Sequence, residues 1–280
     1  MRPQDELIAD LIALALEEDV VDDDITTLSL LEFDNPVPAQ VTAKAAGVIS
    51  GMDVFCRVFD VVDSRVQVEV VKGNGDAVEV GDLVADIRGL ESSILRGERT
   101  ALNFLQQLSG IATAAAKYAA RVEPYGVSLL DTRKTTPGMR YLQKRAVKDG
   151  GGTNHRLNLS DMAMIKDNHI KMAGSITAAV KAVAAKNPAK KIEVEVRNLD
   201  ELREALALSD HIHIIMLDNF EPAMVEEAVG ICRKRVKLEI SGNVTLETIE
   251  DKAKTGVDFI SVGALTHSFK SLDLSLNIKR

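Results

Sequence analysis

The chain has 280 residues, 46% of them hydrophobic and only 4% aromatic, with no Trp and a formal net charge of -8. That length allows a well-buried core in one large domain or in a large and a smaller one, and the composition excludes a disordered chain. The acidic balance excludes a general binder of nucleic acid or of membrane surfaces, since polyanions are repelled by most of such a surface.

Charge is unevenly spread. Residues 1–35 carry eleven acidic side chains against one basic, Arg2, whereas residues 132–171 carry nine Lys or Arg against three Asp, which suggests a focused anion site. Cys56 and Cys232 stand far apart and outside any Cys-x-x-Cys pattern, so neither a disulfide framework nor a cysteine metal site is expected, in keeping with a reducing cytoplasm. The first residues lack a cationic region followed by an apolar stretch, and no apolar run approaches the roughly 20 residues that span a bilayer, so a cytoplasmic location is expected.

Leu7, Ile8, Leu11, Ile12, Leu14 and Ala15 recur at helical spacing, and the acidic run Asp22 to Asp24 is expected to end that first helix. Alternation at 40–43, 65–70 and 83–87, punctuated by Gly47, Gly51, Gly73, Gly75, Gly81 and Gly89, reads as short strands and turns of a small α+β domain. From Ser92 to Tyr118 the apolar positions Leu95, Leu102, Leu105, Leu108, Ile111, Ala112 and Ala115 predict one long helix, or two joined at Gly110. The domain boundary falls there, giving an N-terminal domain over 1–112, a catalytic domain over 113–265, and a tail over 266–280 that packs back on the first.

Beyond about residue 125 short apolar strands alternate with amphipathic helices. Six or so strands end at Leu130-Asp131, Ile165-Lys166, Val194-Glu195, Leu217-Asp218, Ile240-Ser241 and Val262-Gly263; Asn198 with Glu201 marks a helix start and Gly256 a helix stop. Every one of these ends runs into polar, charged or Gly-rich sequence. A βα barrel distributes functional groups over the ends of several strands, whereas an open sheet concentrates them at one switch point. The expected fold class is therefore α/β, a TIM-like βα barrel with a smaller N-terminal α+β domain.

The most specific signals are Asp131 to Arg140, Gly150 to Arg156 and Ile165 to Ile170, joined by Arg96 to Phe104, Leu108 to Thr113, Glu193 to Val196, Met216 to Phe220, Leu238 to Val244 and Phe259 to Leu265. Together they resemble the quinolinate phosphoribosyltransferases over most of the chain; Asn158 stands where that family more often has Gly. The resemblance implies transfer of the phosphoribosyl group of phosphoribosyl pyrophosphate (PRPP) to quinolinate with decarboxylation, yielding nicotinate mononucleotide, pyrophosphate and carbon dioxide in NAD biosynthesis.

It further implies a role for each matching residue. Arg133, His155 and Arg156, beside Thr132, correspond to a clamp for the quinolinate carboxylates, a task suited to the planar guanidinium. Lys134 and Lys166 correspond to cations at the reacting centre, and Glu195 and Asp218 to an acidic pair for the ribose hydroxyls and Mg2+. Ser241, Gly242 and Asn243, with Val262, Gly263 and Ala264, close the last two strands, where barrels commonly bind phosphate. Arg99 corresponds to an arginine supplied to the neighbouring subunit's site, which implies a homodimer or a higher even-numbered oligomer. Three other readings remain open: a phosphoribosyltransferase for nicotinate or another carboxylated ring, a barrel lyase forming a Schiff base on Lys166, and a non-catalytic ligand-binding barrel, which has little use for a strand-end acidic pair beside cations. His211 and His213, ahead of a strand, read as structural; His169 and His267 are undecided.

Overall fold

A computed structural model describes residues 3–19 and 24–279. The described residues divide into two compact units, the first comprising residues up to Ala116, Thr136–Gly151 and Ser268 onward, the second Lys117–Thr135 and Gly152–His267. The boundary falls inside a helix, four residues beyond the expected one, and the segment Thr136–Gly151 belongs to the first unit although its sequence neighbours are barrel. No helix among the described residues is long and apolar enough to cross a membrane.

In the first unit α1 (Gln4–Asp19) buries Ile8 and Ile12 and leaves Leu7 and Leu14 exposed, so only part of its apolar face is core. Asp22 and Asp23 lie outside the described residues. Asp24 starts a helix rather than ending one: its carboxylate accepts from the N–H groups of Thr26 and Thr27 and caps α2 (Ile25–Leu30). There follow β1 (Pro36–Ala43), β2 (Gly47–Val48), α3 (Met52–Val62), β3 (Gln67–Val70), β4 (Ala77–Val78), β5 (Leu83–Leu90) and α4 (Glu91–Val122). The helix expected over 92–118 is thus single and runs through Gly110. An ideal Cβ at Gly110 would lie 2.3 Å from the Lys270 carbonyl oxygen, so glycine serves close packing here and not a break. Leu102, Leu105, Leu108 and Ile111 are all buried on this helix, each contributing about 1.5–3 kcal/mol by leaving water. A C-terminal strand, Leu274–Ile278, pairs antiparallel with β1, so β1 sits inside a sheet whose other members are β5 and β3. The helix α5 (Arg140–Asp149) completes this unit, tied by a two-pronged Arg145–Asp53 pair with both contacts at 2.7 Å.

The second unit alternates strand and helix: β6 (Ser128–Leu130), β7 (Ala163–Ile165), α6 (Asp167–Ala173), α7 (Ile176–Lys186), β8 (Ile192–Val196), α8 (Leu199–Leu206), β9 (Ile214–Asp218), α9 (Pro222–Cys232), β10 (Lys237–Ser241), α10 (Ile249–Lys254), β11 (Phe259–Ser261) and α11 (Ala264–His267). All six strands are parallel, in the order β6-β11-β10-β9-β8-β7. Pairing of the first strand with the last curls the sheet round as in a βα barrel, and Thr153 bridges to Leu130 at the free side of β6. Asn198 caps α8 by accepting from the Glu201 N–H, and Gly256 follows α10 with φ +87°, as the sequence signals require.

Candidate active site

Parallel strands in a βα barrel aim their C-terminal ends at one mouth. There the second unit holds a cavity of about 510 Å³, lined by Asp131, Thr132, Arg133, Lys134, His155, Arg156, Lys166, Glu195, Asp218, Ser241, Gly242 and Asn243 among others. Arg133 and Lys134 follow β6, Lys166 follows β7, Glu195 lies on β8, and Asp218 and Ser241 end β9 and β10. Arg99, on the α4 portion in the first unit, is not among the lining residues, nor are Val262, Gly263 and Ala264. The Val262 N–H is already spent on the Leu130 carbonyl, and Ala264 opens α11.

Local chemistry fixes the cationic side chains. The Lys134 N–H donates to Thr132 Oγ1, and the buried Thr266 hydroxyl donates to the Lys134 carbonyl, clamping the β6 turn from both sides. Arg156 donates to the Met162 carbonyl at 3.0 Å. Its pKa lies below the ordinary arginine value, through burial first and then the like charge of Arg133. Lys166 forms an ion pair with Glu195, and its N–H donates to His169 Nδ1, which assigns His169 to the first turn of α6. Ahead of β9, the His213 N–H donates to the Ile192 carbonyl and His213 Nδ1 accepts from the Ile192 N–H, a structural role.

The left-handed pair Gly242 (φ +95°) and Asn243 (φ +48°) faces Asn219 (φ +55°), with Asn243 Nδ2 donating to Asn219 Oδ1. An ideal Cβ on Gly242 would lie 2.1 Å from Asn219 Oδ1, so a side chain here would force Asn219 to shift and strain a left-handed backbone.

His155 lines the cavity beside Arg133 and Arg156 and also meets two buried glutamates. Its Nε2 lies 2.8 Å from Glu193 Oε2 and 3.4 Å from Glu239 Oε2, and its Nδ1 accepts from the Arg156 N–H. Burial lowers its pKa, but hydrogen bonds to Glu193 and Glu239 and their charges outweigh burial and carry it up to about 10. Burial and the neighbouring Glu239 raise that of Glu193 against the pull of His155.

Asp131, Met164, Met216, Asn219, Glu239 and Ser261 line the cavity, and Glu193 lies beneath it, without having been assigned site roles from the sequence. A signal existed for two of them: Glu193 shares a strand face with Glu195, and Glu239 with Ser241, two residues apart in each case. The nine cations of 132–171 do not all mark the site either, since Arg140, Lys144, Arg145 and Lys148 belong to the first unit.

Residues 111–277 match the C-terminal domain of quinolinate phosphoribosyl transferase, and residues 24–109 match its N-terminal domain. The chain belongs to the quinolinate phosphoribosyl transferase family. Among curated relatives, this family member is 42% identical over 285 residues to the chloroplastic nicotinate-nucleotide pyrophosphorylase (carboxylating) of Arabidopsis thaliana, covering 95% of this chain and 81% of that one. It is 40% identical to the probable nicotinate-nucleotide pyrophosphorylase (carboxylating) of Bacillus subtilis, covering 93% and 90%. Among solved structures, the nicotinate-nucleotide pyrophosphorylase from Francisella tularensis superposes with a TM-score of 0.95 at 40% identity, covering 99% and 98% of the two chains.

Proposed function

We propose that this family member is a pentosyltransferase that joins quinolinate to the phosphoribosyl group of PRPP and releases pyrophosphate and carbon dioxide, leaving nicotinate mononucleotide for NAD biosynthesis. One observation carries the reading: Arg133, Lys134, Arg156 and Lys166 converge on the same cavity as Glu195 and Asp218. Four cations suit two heavily anionic substrates, and two carboxylates suit a sugar that becomes cationic during transfer.

In this reading Arg133 and Arg156 hold the dicarboxylate by paired hydrogen bonds, with Thr132 at the edge of their turn. Lys134 and Lys166 bind phosphate and carboxylate oxygens, Lys166 leaving Glu195 as substrate arrives. Ser241, Gly242 and Asn243 receive the 5-phosphate on the turn that Asn219 braces, with Val262, Gly263 and Ala264 after the adjacent strand β11. The pyridine nitrogen then forms a bond to the anomeric carbon as the bond to pyrophosphate breaks. Loss of the 2-carboxylate follows, and the electron pair left on the ring takes up a proton.

Glu195 and Asp218 also fit Mg2+, because they offer hard oxygen donors on neighbouring strands of one cavity, and this cation is usually held by one or two carboxylates together with substrate phosphates. Bound there, Mg2+ supplies positive charge to the pyrophosphate oxygens. We extend the reading to a cytoplasmic homodimer in which Arg99 serves the neighbouring copy; the exposed Leu14, Ile25, Leu28, Leu30 and Phe33 support such an apolar contact.

The test is incubation of the purified chain with quinolinate, PRPP and Mg2+. Nicotinate mononucleotide and carbon dioxide are expected; turnover of nicotinate in place of quinolinate would overturn the dicarboxylate specificity, and no nucleotide from either would overturn the activity.

A further inference from the structure

Residues other than glycine seldom adopt a positive φ, and among the described residues four do: Asn219 (φ +55°), Arg233 (φ +49°), Lys234 (φ +61°) and Asn243 (φ +48°). Arg233 and Lys234 turn the chain out of α9, at the end of the barrel away from the mouth. The two asparagines meet at Gly242 (φ +95°), where β9 and β10 end at the mouth. Such backbone persists only where its surroundings over-determine it, and it gathers at ligand sites.

Asn219 supplies those surroundings. Leaving the end of β9, it crosses to the turn that follows β10. Its main-chain N–H donates to the Ser241 carbonyl at 3.0 Å, and its Oδ1 accepts from Asn243 Nδ2 at 3.3 Å. Its carboxamide lies against Gly242, with Oδ1, Cγ and Nδ2 at 2.1, 2.6 and 3.1 Å from where a Cβ would stand. One residue thus touches the turn before, at and after its glycine. What the turn keeps open is as telling: among the described residues the N–H groups of Gly242, Asn243 and Val244 donate to no other part of the chain. Consecutive free N–H groups in a turn make a concave nest that suits an anion. Asn219 holds the turn by its flanks, the Ser241 carbonyl and the Asn243 side chain, and leaves all three donors of the nest unspent.

We propose that Asn219 is a positioning residue for the sugar phosphate of PRPP. It shapes the Ser241-Gly242-Asn243 turn into a phosphate nest. Because it directly follows Asp218, it also fixes that nest relative to the carboxylate that meets the ribose hydroxyls, so the two ends of one substrate are read by neighbours joined through a single peptide bond. The inference rests on the function proposed above and concerns only the PRPP half of the site.

Asn219→Gly removes the side chain while leaving a residue at ease with a positive φ, which separates lost contacts from backbone strain. In steady-state assays of the full chain it should raise the KM for PRPP roughly tenfold and leave the quinolinate KM within about twofold and kcat within about threefold. Asn243→Gly, which removes the other half of the amide pair, should also raise the PRPP KM. The double variant should be little worse than the poorer single one, since both changes break the same link. An unchanged PRPP KM in Asn219→Gly, a parallel rise for both substrates, or a double variant in which the two losses multiply overturns the proposal.

Amide spectra of the unmodified and Asn219→Gly chains, with ribose 5-phosphate as the probe, supply a second measurement. In the unmodified chain the N–H resonances of Gly242, Asn243 and Val244 should move downfield together as the probe is added, and the variant should need about tenfold more probe for the same shift. Resonances that stay in place in the unmodified chain, or equal probe affinity in the two chains, overturn the positioning role. Absence of any turnover of quinolinate and PRPP by the unmodified chain instead removes the proposed function itself, so the two failures are distinguishable.

Discussion

The Lys166 ammonium rests on the Glu195 carboxylate, across the ends of the adjacent strands β7 and β8. An ammonium paired in this way already serves a carboxylate oxygen, which is the task of an anion-binding group. The pair keeps both charges partly satisfied until substrate phosphates offer Lys166 a competing partner.

Glu195→Gln retains the shape of the side chain and removes its charge. The expected outcome is a fall in kcat of roughly 10²–10³-fold, since an electrostatic group aimed at developing charge is lost. Borohydride treatment with carbonyl compounds should label Lys166 in neither form. Steady-state kinetics and mass spectrometry of the treated protein check both statements.

Arg99 gives a prediction about assembly. Arg99→Ala should weaken quinolinate binding without lowering thermal stability, because the side chain lines no part of the cavity in its own chain. If the neighbouring copy uses it, mixing inactive Arg99→Ala and Arg133→Ala chains restores part of the activity, about a quarter of the sites regaining both arginines in a random dimer. Complementation assays after joint refolding read this directly.

Gly242→Ala should raise the KM for PRPP and cost about 1–3 kcal/mol of stability, through the left-handed backbone and the clash with Asn219. Asn219→Gly in the same chain relieves the clash and should return part of the stability. Denaturant unfolding and PRPP titration separate the two effects.

Asp258 accepts from Lys237 Nζ at 2.7 Å and from the Leu238 N–H at 3.0 Å where β10 begins. Burial raises its pKa, but these bonds and the charges of Lys234 and Lys237 outweigh burial and leave it below the ordinary 3.8. A lowered folded pKa stabilises the protein fully above the unfolded value and is lost as the pH falls through the folded one. Asp258→Asn should therefore be about 1 kcal/mol less stable at neutral pH, with the difference shrinking in acid as the wild-type carboxyl takes up its proton. Unfolding midpoints across an acid series check the trend.

The six barrel strands and the polar residues at their ends were legible because a short apolar run followed by Asp131, Lys166, Glu195, Asp218 or Ser241 is a local signal of period and termination. The burial of Glu193 and Glu239 was less plain: each shares a strand face with a polar strand end, but an acid alternating with Val or Ile also reads as solvent-facing, and only closure of the sheet turns both inward. The helix α5 groups with the first unit although it lies within the expected catalytic span, for a related reason. Its amphipathic pattern shows that it packs on a core but not which one, and the Arg145–Asp53 contact joins residues far apart in sequence. Asp24 misled as a stop because the same residue type opens helices more often than it closes them.

Both sheets are finished by late-coming partners: β6 waits for β11, and β1 waits for the strand at Leu274–Ile278. During synthesis each therefore keeps one bare flank of unpaired N–H and C=O groups until well over a hundred further residues have left the ribosome. The nascent chain is a sticky object in that interval, and its yield in the cell depends on being kept from its neighbours for as long as translation lasts.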